Sequence, residues 1–347
     1  MLAAVYYGPR DLRIEERPTP VPGPGEALVR VLAAGICGTD LRIVAGQHRR
    51  VPPGALRILG HEVVGDIAAL GPGVAGFSVG ERVFVGPNTG CGRCRLCQAG
   101  RSNLCADLEG LGVTCDGAFA EYMLVSARSV EQGNLMPVQP GVDPAVASLA
   151  EPLACVLHGQ DACAIRPGDT VLVIGAGPIG IMHLLLARLS GAARVLVAEL
   201  SPARREQALA LGADRGIDPT TEDLAQAVRA ETAGAGADVI LVAAPSGRAQ
   251  QEALRAAAIG GRINFFGGLP KDHPTVELES NLVHYKELVV TGTTACSTAD
   301  CRRALALINA GRIGLSSLVS DRFPLADAAQ ALQVAAEGRG LKVALIP

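Results

Sequence analysis

Cys91, Cys94, Cys97 and Cys105 stand in the order C-x2-C-x2-C-x7-C, four thiols within fifteen residues. Four thiolates in one loop fit a closed tetrahedral Zn2+ site, which orders the chain but leaves no coordination position for chemistry. Arg93, Arg95 and Arg101 are interleaved with them and would offset the negative charge of such a centre. Free or redox-active thiols are the competing reading. A second set of ligating residues is dispersed: Cys37 in G-I-C-G-T-D, His61 and Glu62 in G-H-E, and Glu151 in L-A-E-P-L. Singly, each is a type that packing or a loop explains. Together, one thiolate, one imidazole and one or two carboxylates would hold Zn2+ and leave a place for water or a substrate oxygen. The other five cysteines, at 115, 155, 163, 296 and 301, show no metal spacing and read as core or incidental.

A third constellation lies in Gly175-Ala-Gly177-Pro178-Ile179-Gly180, directly after the apolar run Val171–Ile174 and at the head of an apolar helical stretch carrying Met182, Leu186 and Leu189. This strand-to-helix setting promotes a bare G-x-G-x-x-G to a dinucleotide signal. Gly175 permits a tight turn, Gly177 lets the backbone approach a pyrophosphate, and Gly180 allows close helix–strand packing. Pro178 suits a first helical position, and the helix N-terminus offers amide donors to phosphates. Glu199 closes the next apolar run. A carboxylate there accepts the adenosine ribose hydroxyls and repels a 2′-phosphate, favouring NAD over NADP. Arg204 and Arg205 pull toward NADP, and Arg204 joins Gly175, Gly177, Pro178, Ile179, Gly180 and Glu199 as an expected cofactor-binding residue.

The elements that position these groups follow from texture. The first 150 residues are rich in Gly, Pro and β-branched residues, with short apolar runs at Ala27–Ala33, Val63–Leu70 and Arg82–Val85, which predicts a β-rich lobe. From about Ile165, apolar runs alternate with Ala/Leu-rich helical stretches, which predicts parallel βαβ units. VLVIG, RVLVAEL, ADVILVAA and GRINFFGG supply strands, and the sheet is expected to end near Leu288–Thr291. CRRALALINAG and LKVALIP then read as a return to the first lobe. The expected division is 1–152, with a zinc lobe at 88–107, then 153–298, then 299–347.

Composition excludes several partners. Lys plus Arg (31) nearly balances Asp plus Glu (34), and four Tyr, six Phe and no Trp leave little to stack on bases, so nucleic acid is a poor partner. Gly175, Gly177, Pro178, Gly180 and the charges that follow break the stretch from Val171 to Ala198, so no membrane span is read. The opening MLAAVYYGPRDLR lacks a secretory pattern, making a cytoplasmic location the default expectation.

Gly60-His61-Glu62-x-x-Gly65-x5-Gly71-x-x-Val74 resembles the zinc signature of the medium-chain dehydrogenase/reductase superfamily, the alcohol and polyol dehydrogenases. Cys37-Gly-Thr39-Asp40 and the four-cysteine lobe resemble that family in order and spacing, and the likeness covers essentially the whole chain. Glu151-Pro152 narrows it to the polyol (sorbitol-like) and threonine dehydrogenase branch, since liver-type alcohol dehydrogenases carry cysteine there. The resemblance implies an α/β chain with a GroES-like catalytic domain, a doubly wound Rossmann coenzyme domain and an active site in the cleft between them. It also implies zinc ligation by Cys37 and His61, with Glu62 and Glu151 as direct or water-bridged ligands. Two Zn2+ per chain, NAD and a homo-oligomer, tetramer or dimer, are expected with it.

Oxidising a secondary alcohol requires a hydroxyl acidic enough to lose its proton near neutral pH, which Zn2+ provides by binding the oxygen as alkoxide. By resemblance, Thr39 relays that proton toward the cofactor ribose, because a hydroxyl donates and accepts at once. The chain departs from many relatives three residues later, where Arg42 replaces a relay histidine; arginine stays protonated and is a poor relay. Arg42, Arg49 and Arg50 are the speculative substrate residues, since guanidinium groups bind phosphate or carboxylate in bidentate fashion. Solvated loop charges are their competing reading. A polyol, sugar alcohol or cyclitol is the leading substrate class, and a phosphorylated or acidic sugar is the alternative. A nonenzymatic nucleotide-binding protein on the same fold would have no need for both Cys37 and Glu151.

Overall fold

The computed structural model describes residues 1–52 and 54–347. The chain divides into two units, one formed by Met1–Ala154 and Ala295–Pro347 and the other by Cys155–Thr294. In the first unit the β-branched runs become antiparallel strands around one hub, Ala27–Gly35. That strand pairs with Glu62–Leu70 along its length, with Tyr122–Val125 near its start and with Lys342–Ile346 near its end. The sheet continues through Arg82–Val85 to Leu135–Pro137 on one side and to Val319–Pro324 on the other. Leu2–Gly8, Asp11–Glu16 and Arg57–Ile58 form a smaller three-stranded sheet. Both sheets contribute to one core in which Tyr6, Val29, Val63, Phe119 and Leu345 are fully buried or nearly so. The last strand is therefore an integral part of a sheet begun at residue 27, and the first unit is discontinuous in sequence.

In the second unit six parallel strands carry the alternating pattern: Thr170–Ile174, Arg194–Ala198, Arg215–Ile217, Ala237–Val242, Ala257–Phe265 and Val289–Gly292. Counted along the chain, their spatial order is third, second, first, fourth, fifth, sixth. The first strand pairs with both the second and the fourth, so the winding reverses at the carboxyl ends of Thr170–Ile174 and Ala237–Val242. That reversal is where doubly wound sheets take their ligands. Arg215–Ile217 was not foreseen, because three residues with one apolar member show no alternation. Among the described residues, no helix is long and apolar enough to cross a membrane.

A histidine locks the helix that opens the nucleotide turn. His183, on Pro178–Leu189, is fully buried, with its ring edge-on to Phe266 at 4.8 Å between centroids. Gln160 donates from Nε2 to the His183 carbonyl at 2.8 Å and lies 3.3 Å from its Nδ1. Burial pushes its pKa down from 6.5 to about 3. The unfolded chain binds a proton here below pH 6.5 while the folded chain does not until about pH 3, so stability is lost as pH falls through that window. The slope approaches about 1.4 kcal/mol per pH unit. Urea midpoints measured from pH 7 to 4 are expected to fall more steeply for the natural chain than for His183→Gln, and equal slopes would contradict a buried neutral imidazole.

Candidate functional site

The register of two strands brings the dispersed residues together. Gly35 pairs with Glu62, so the chain leaving Ala27–Gly35 toward Cys37 lies beside the chain entering Glu62–Leu70 from His61. The ligating atoms of Cys37, His61 and Glu62 all lie within 4.8 Å of one another. Cys37 caps the helix Gly38–Val44, whose first turn also carries Thr39 and Asp40. Asp40 is fully buried and acts as a bracket: its Oδ2 accepts from the Cys37 amide at 2.9 Å and its Oδ1 from the Gly60 amide at 3.3 Å. The same Oδ1 lies 3.5 Å from His61 Nδ1, at the outer edge of hydrogen-bond range.

The pocket is electron-rich. Burial alone would depress the His61 imidazole, but Asp40 and then Cys37 outweigh it and hold its pKa well above 6.5. This environment favours positive charge, and its thiol, imidazole and carboxylate donors suit Zn2+. Glu62 has a further partner. Lys342, 6% exposed, forms a buried ion pair with it, and Lys342 Nζ also donates to the Ile36 carbonyl at 3.1 Å. Burial would lower the lysine pKa, yet Glu62, followed by Cys37, raises it above the usual value. Glu151 stands in the first turn of Ala150–Asp161, buried, with Cys296 Sγ 3.8 Å from its Oε1.

The sequence-level ligand set is thus brought together in part. Cys37, His61 and Glu62 converge, Glu62 is engaged by a lysine, and Glu151 is engaged by a cysteine. Asp40 and Lys342 escaped the sequence reading as site residues. Asp40 had a signal in its place three residues after the helix cap, whereas Lys342 was only the one charge in the run LKVALIP.

The four-cysteine loop is equally closed. Cys91, Cys94, Cys97 and Cys105 bring their sulfurs within 4.8 Å of one another, with Cys94 Sγ 3.5 Å from Cys97 Sγ and 3.8 Å from Cys105 Sγ. Backbone amides of Arg93 and Cys94 lower the Cys91 thiol to about 6, while burial pushes Cys97 up to about 12. Four converging sulfurs in one loop are a donor set that suits a closed tetrahedral metal site.

In the second unit the glycine turn has the form its spacing predicts. Gly175 has φ +103°, and a Cβ at Gly180 would lie 1.8 Å from the Gly175 carbonyl oxygen. A Cβ at Gly177 would meet nothing within 4 Å, so its small size serves something other than packing within the chain. Pro178 opens the helix Pro178–Leu189, with Ile179 beside it, and among the described residues no side chain caps it. Its amides are left for an anion. Glu199 accepts from the Ala176 amide at 2.7 Å and the Ser201 amide at 2.9 Å, which holds the carboxylate against the turn. Arg205 is held by Asp218 at 2.9 Å and by the carbonyls of Glu199 and Leu200. Arg204 is half-buried in the first turn of Pro202–Ala210.

Arg42, Arg49 and Arg50 are exposed and form no ion pair among the described residues. They lie around His48, whose pKa is lowered by burial and then by Arg49, Arg42, His61 and Arg50 in that order. Positive charge therefore collects beside the His61 pocket.

A parallel sheet with a nucleotide turn and a buried thiol–imidazole–carboxylate cluster define a metal- and dinucleotide-dependent oxidoreductase. Comparison with known proteins gives the family. Residues 23–137 match the alcohol dehydrogenase GroES-like domain and residues 178–310 the zinc-binding dehydrogenase domain. L-galactonate-5-dehydrogenase of Escherichia coli K12 is 33% identical over 332 residues, covering 95% of this chain and 94% of that protein. Sorbitol dehydrogenase of Halalkalibacterium halodurans is 32% identical over 352 residues, covering 100% and 98%. A dehydrogenase structure from Sinorhizobium meliloti 1021 bound to NADP superposes with a TM-score of 0.92 at 34% identity, covering 100% of this chain and 99% of that one. The chain belongs to the zinc-binding alcohol dehydrogenases of the medium-chain dehydrogenase/reductase superfamily, in the polyol and threonine dehydrogenase branch. It is an α/β oxidoreductase with a GroES-like domain and a Rossmann domain.

The buried ion pair yields a prediction. Lys342→Met leaves Glu62 charged and unpaired in a site without solvent, and is expected to destabilise the fold by about 3–5 kcal/mol. Lys342→Met combined with Glu62→Leu is expected to recover most of that loss in urea unfolding. A double variant no more stable than the single one would contradict the pairing.

Proposed function

We propose that this enzyme oxidises a secondary alcohol of a polyol, sugar alcohol or cyclitol, with NAD as acceptor and two Zn2+ per chain. The convergence of Cys37, His61 and Glu62 beside an uncommitted Thr39 carries this reading. The metal, when bound, supplies the Lewis acidity that makes an alcohol hydroxyl acidic near neutral pH. Cys37 and His61 hold it, and Asp40 fixes both by bonding the Cys37 amide and facing His61 Nδ1. Glu62 and Glu151 supply the carboxylates within or just outside the ligand set. The half-buried Thr39 hydroxyl receives the substrate proton and passes it on, because it can accept and donate together. Arg42, permanently charged, is no base and adds to the positive charge around His48.

On the cofactor side, the amides following Gly177 bind the pyrophosphate and Glu199 receives the adenosine ribose. Arg205 is committed to Asp218, which supports NAD over NADP by removing one arginine from phosphate binding. Cys91, Cys94, Cys97 and Cys105 hold the second, structural Zn2+. The cytoplasm suits ten cysteines that form no disulfide among the described residues. A homo-oligomer is supported by the open edge strand Val289–Gly292, beside which Ile259 and Tyr285 are 81% and 76% exposed and which a second copy would cover.

The exposed arginines favour one alternative, an acidic or phosphorylated sugar, and a relative named for L-galactonate lends it weight. An NAD(P)-coupled screen over free polyols, sugar acids and phosphorylated polyols separates the two. The natural chain is expected to turn over neutral polyols with NAD, and Arg49→Ala/Arg50→Ala to keep kcat/KM for them within about twofold. An activity confined to anionic substrates and lost by about tenfold or more in that variant would transfer the assignment to the acidic sugar. NADP preference would remove the role given to Glu199.

A further inference from the structure

We infer that Cys296 is a positioning residue for Glu151, held in place from the root of the four-cysteine loop through Asn88. The inference rests on the proposed role of Glu151 at the Cys37–His61 site. Cys296 is fully buried, and its thiol donates toward Glu151 Oε1 at 3.8 Å. Asn88 grips the cysteine from the other side: its Nδ2 donates to the Cys296 carbonyl at 3.2 Å and lies 3.8 Å from Sγ. Asn88 and Thr89 pair with Glu109 and Gly110 in a short antiparallel ladder. That ladder closes the base of the loop carrying Cys91 through Cys105, so whatever orders the loop also fixes Asn88.

A second line of bonds runs in parallel. Asn134, fully buried, donates from Nδ2 to Thr89 Oγ1 at 2.6 Å, and its Oδ1 accepts from Thr298 Oγ1 at 2.6 Å. Thr298 opens the helix Thr298–Asn309, two residues after Cys296. The segment from Cys296 to Thr298 is therefore tied at two points to the root of the loop. A thiol is a weak donor, so one S–H···O contact fixes little by itself. A satisfied buried polar network is rigid, and here the network decides where the thiol stands against Glu151. Cys296, read from the sequence as core or incidental, thereby joins the proposed catalytic region to the structural loop.

The test uses the metal-loaded enzyme and release of zinc to the chelator 4-(2-pyridylazo)resorcinol, a readout that needs no substrate. The catalytic phase is the one missing from Cys37→Ser. Cys296→Ala and Asn88→Ala are expected to speed that phase by about tenfold, within the range found when groups that orient metal ligands are removed. They are also expected to lower kcat with little change in KM, while Cys296→Ser, which keeps a donor, restores both. Release and kcat within about twofold of the natural chain in both alanine variants would overturn the inference and leave the proposed function standing. A serine variant as impaired as alanine would show that Cys296 only fills space and would also overturn it. Absence of any Cys37-dependent phase in the natural chain would overturn the proposed function and the inference together.

Discussion

The ion pair between Lys342 and Glu62 is the constraint around which the first unit is organised. Neither side chain reaches water to any useful extent, and a buried charge without its partner destabilises a fold by several kcal/mol. The last strand must therefore return to the sheet that begins at Ala27, and Lys342–Ile346 must pair with the end of Ala27–Gly35. The lysine reaches the residue before Cys37 through the Ile36 carbonyl and the residue after His61 through the Glu62 carboxylate. One cation from the C-terminal strand thus sets the spacing of two donors that lie 24 positions apart in sequence. Asp40 completes the frame from the opposite side by binding the Cys37 and Gly60 amides.

The pair also balances charge. A thiol, two carboxylates and an imidazole packed without water require compensation, and Lys342 provides a fixed share of it beside the His61 pocket. Asp40 and then Cys37 hold the His61 pKa above its usual value against burial, so the pocket favours further positive charge, which a bound metal ion would supply. The second unit solves a different electrostatic problem with backbone alone. Its helix N-terminus presents amides, and Glu199 is oriented by two amides of its own.

What the sequence made legible was local. The four-cysteine loop spans fifteen residues, and the glycine turn spans six between a strand and a helix, so spacing alone conveys their geometry. The strands Ala27–Gly35, Glu62–Leu70 and Arg82–Val85 could be read from β-branched runs, and the five longer parallel strands from alternation with helices. Long-range partnerships could not. Lys342 with Glu62 and Cys296 with Glu151 join residues 280 and 145 positions apart, and no periodicity links them. Arg215–Ile217 escaped because its pairing with Arg194–Ala198, and not its composition, makes it a strand.

On the proposed mechanism, Cys37 and His61 hold the metal that activates the alcohol, separately from the metal of the cysteine loop. Zinc content per chain, measured together with alcohol-dependent NADH formation on the natural chain and on Cys37→Ser, decides this. Two zinc ions are expected to fall to one, with the fold retained and activity lost by several orders of magnitude. Two zinc ions retained in Cys37→Ser, or alcohol oxidation surviving at near-natural rates, would contradict it.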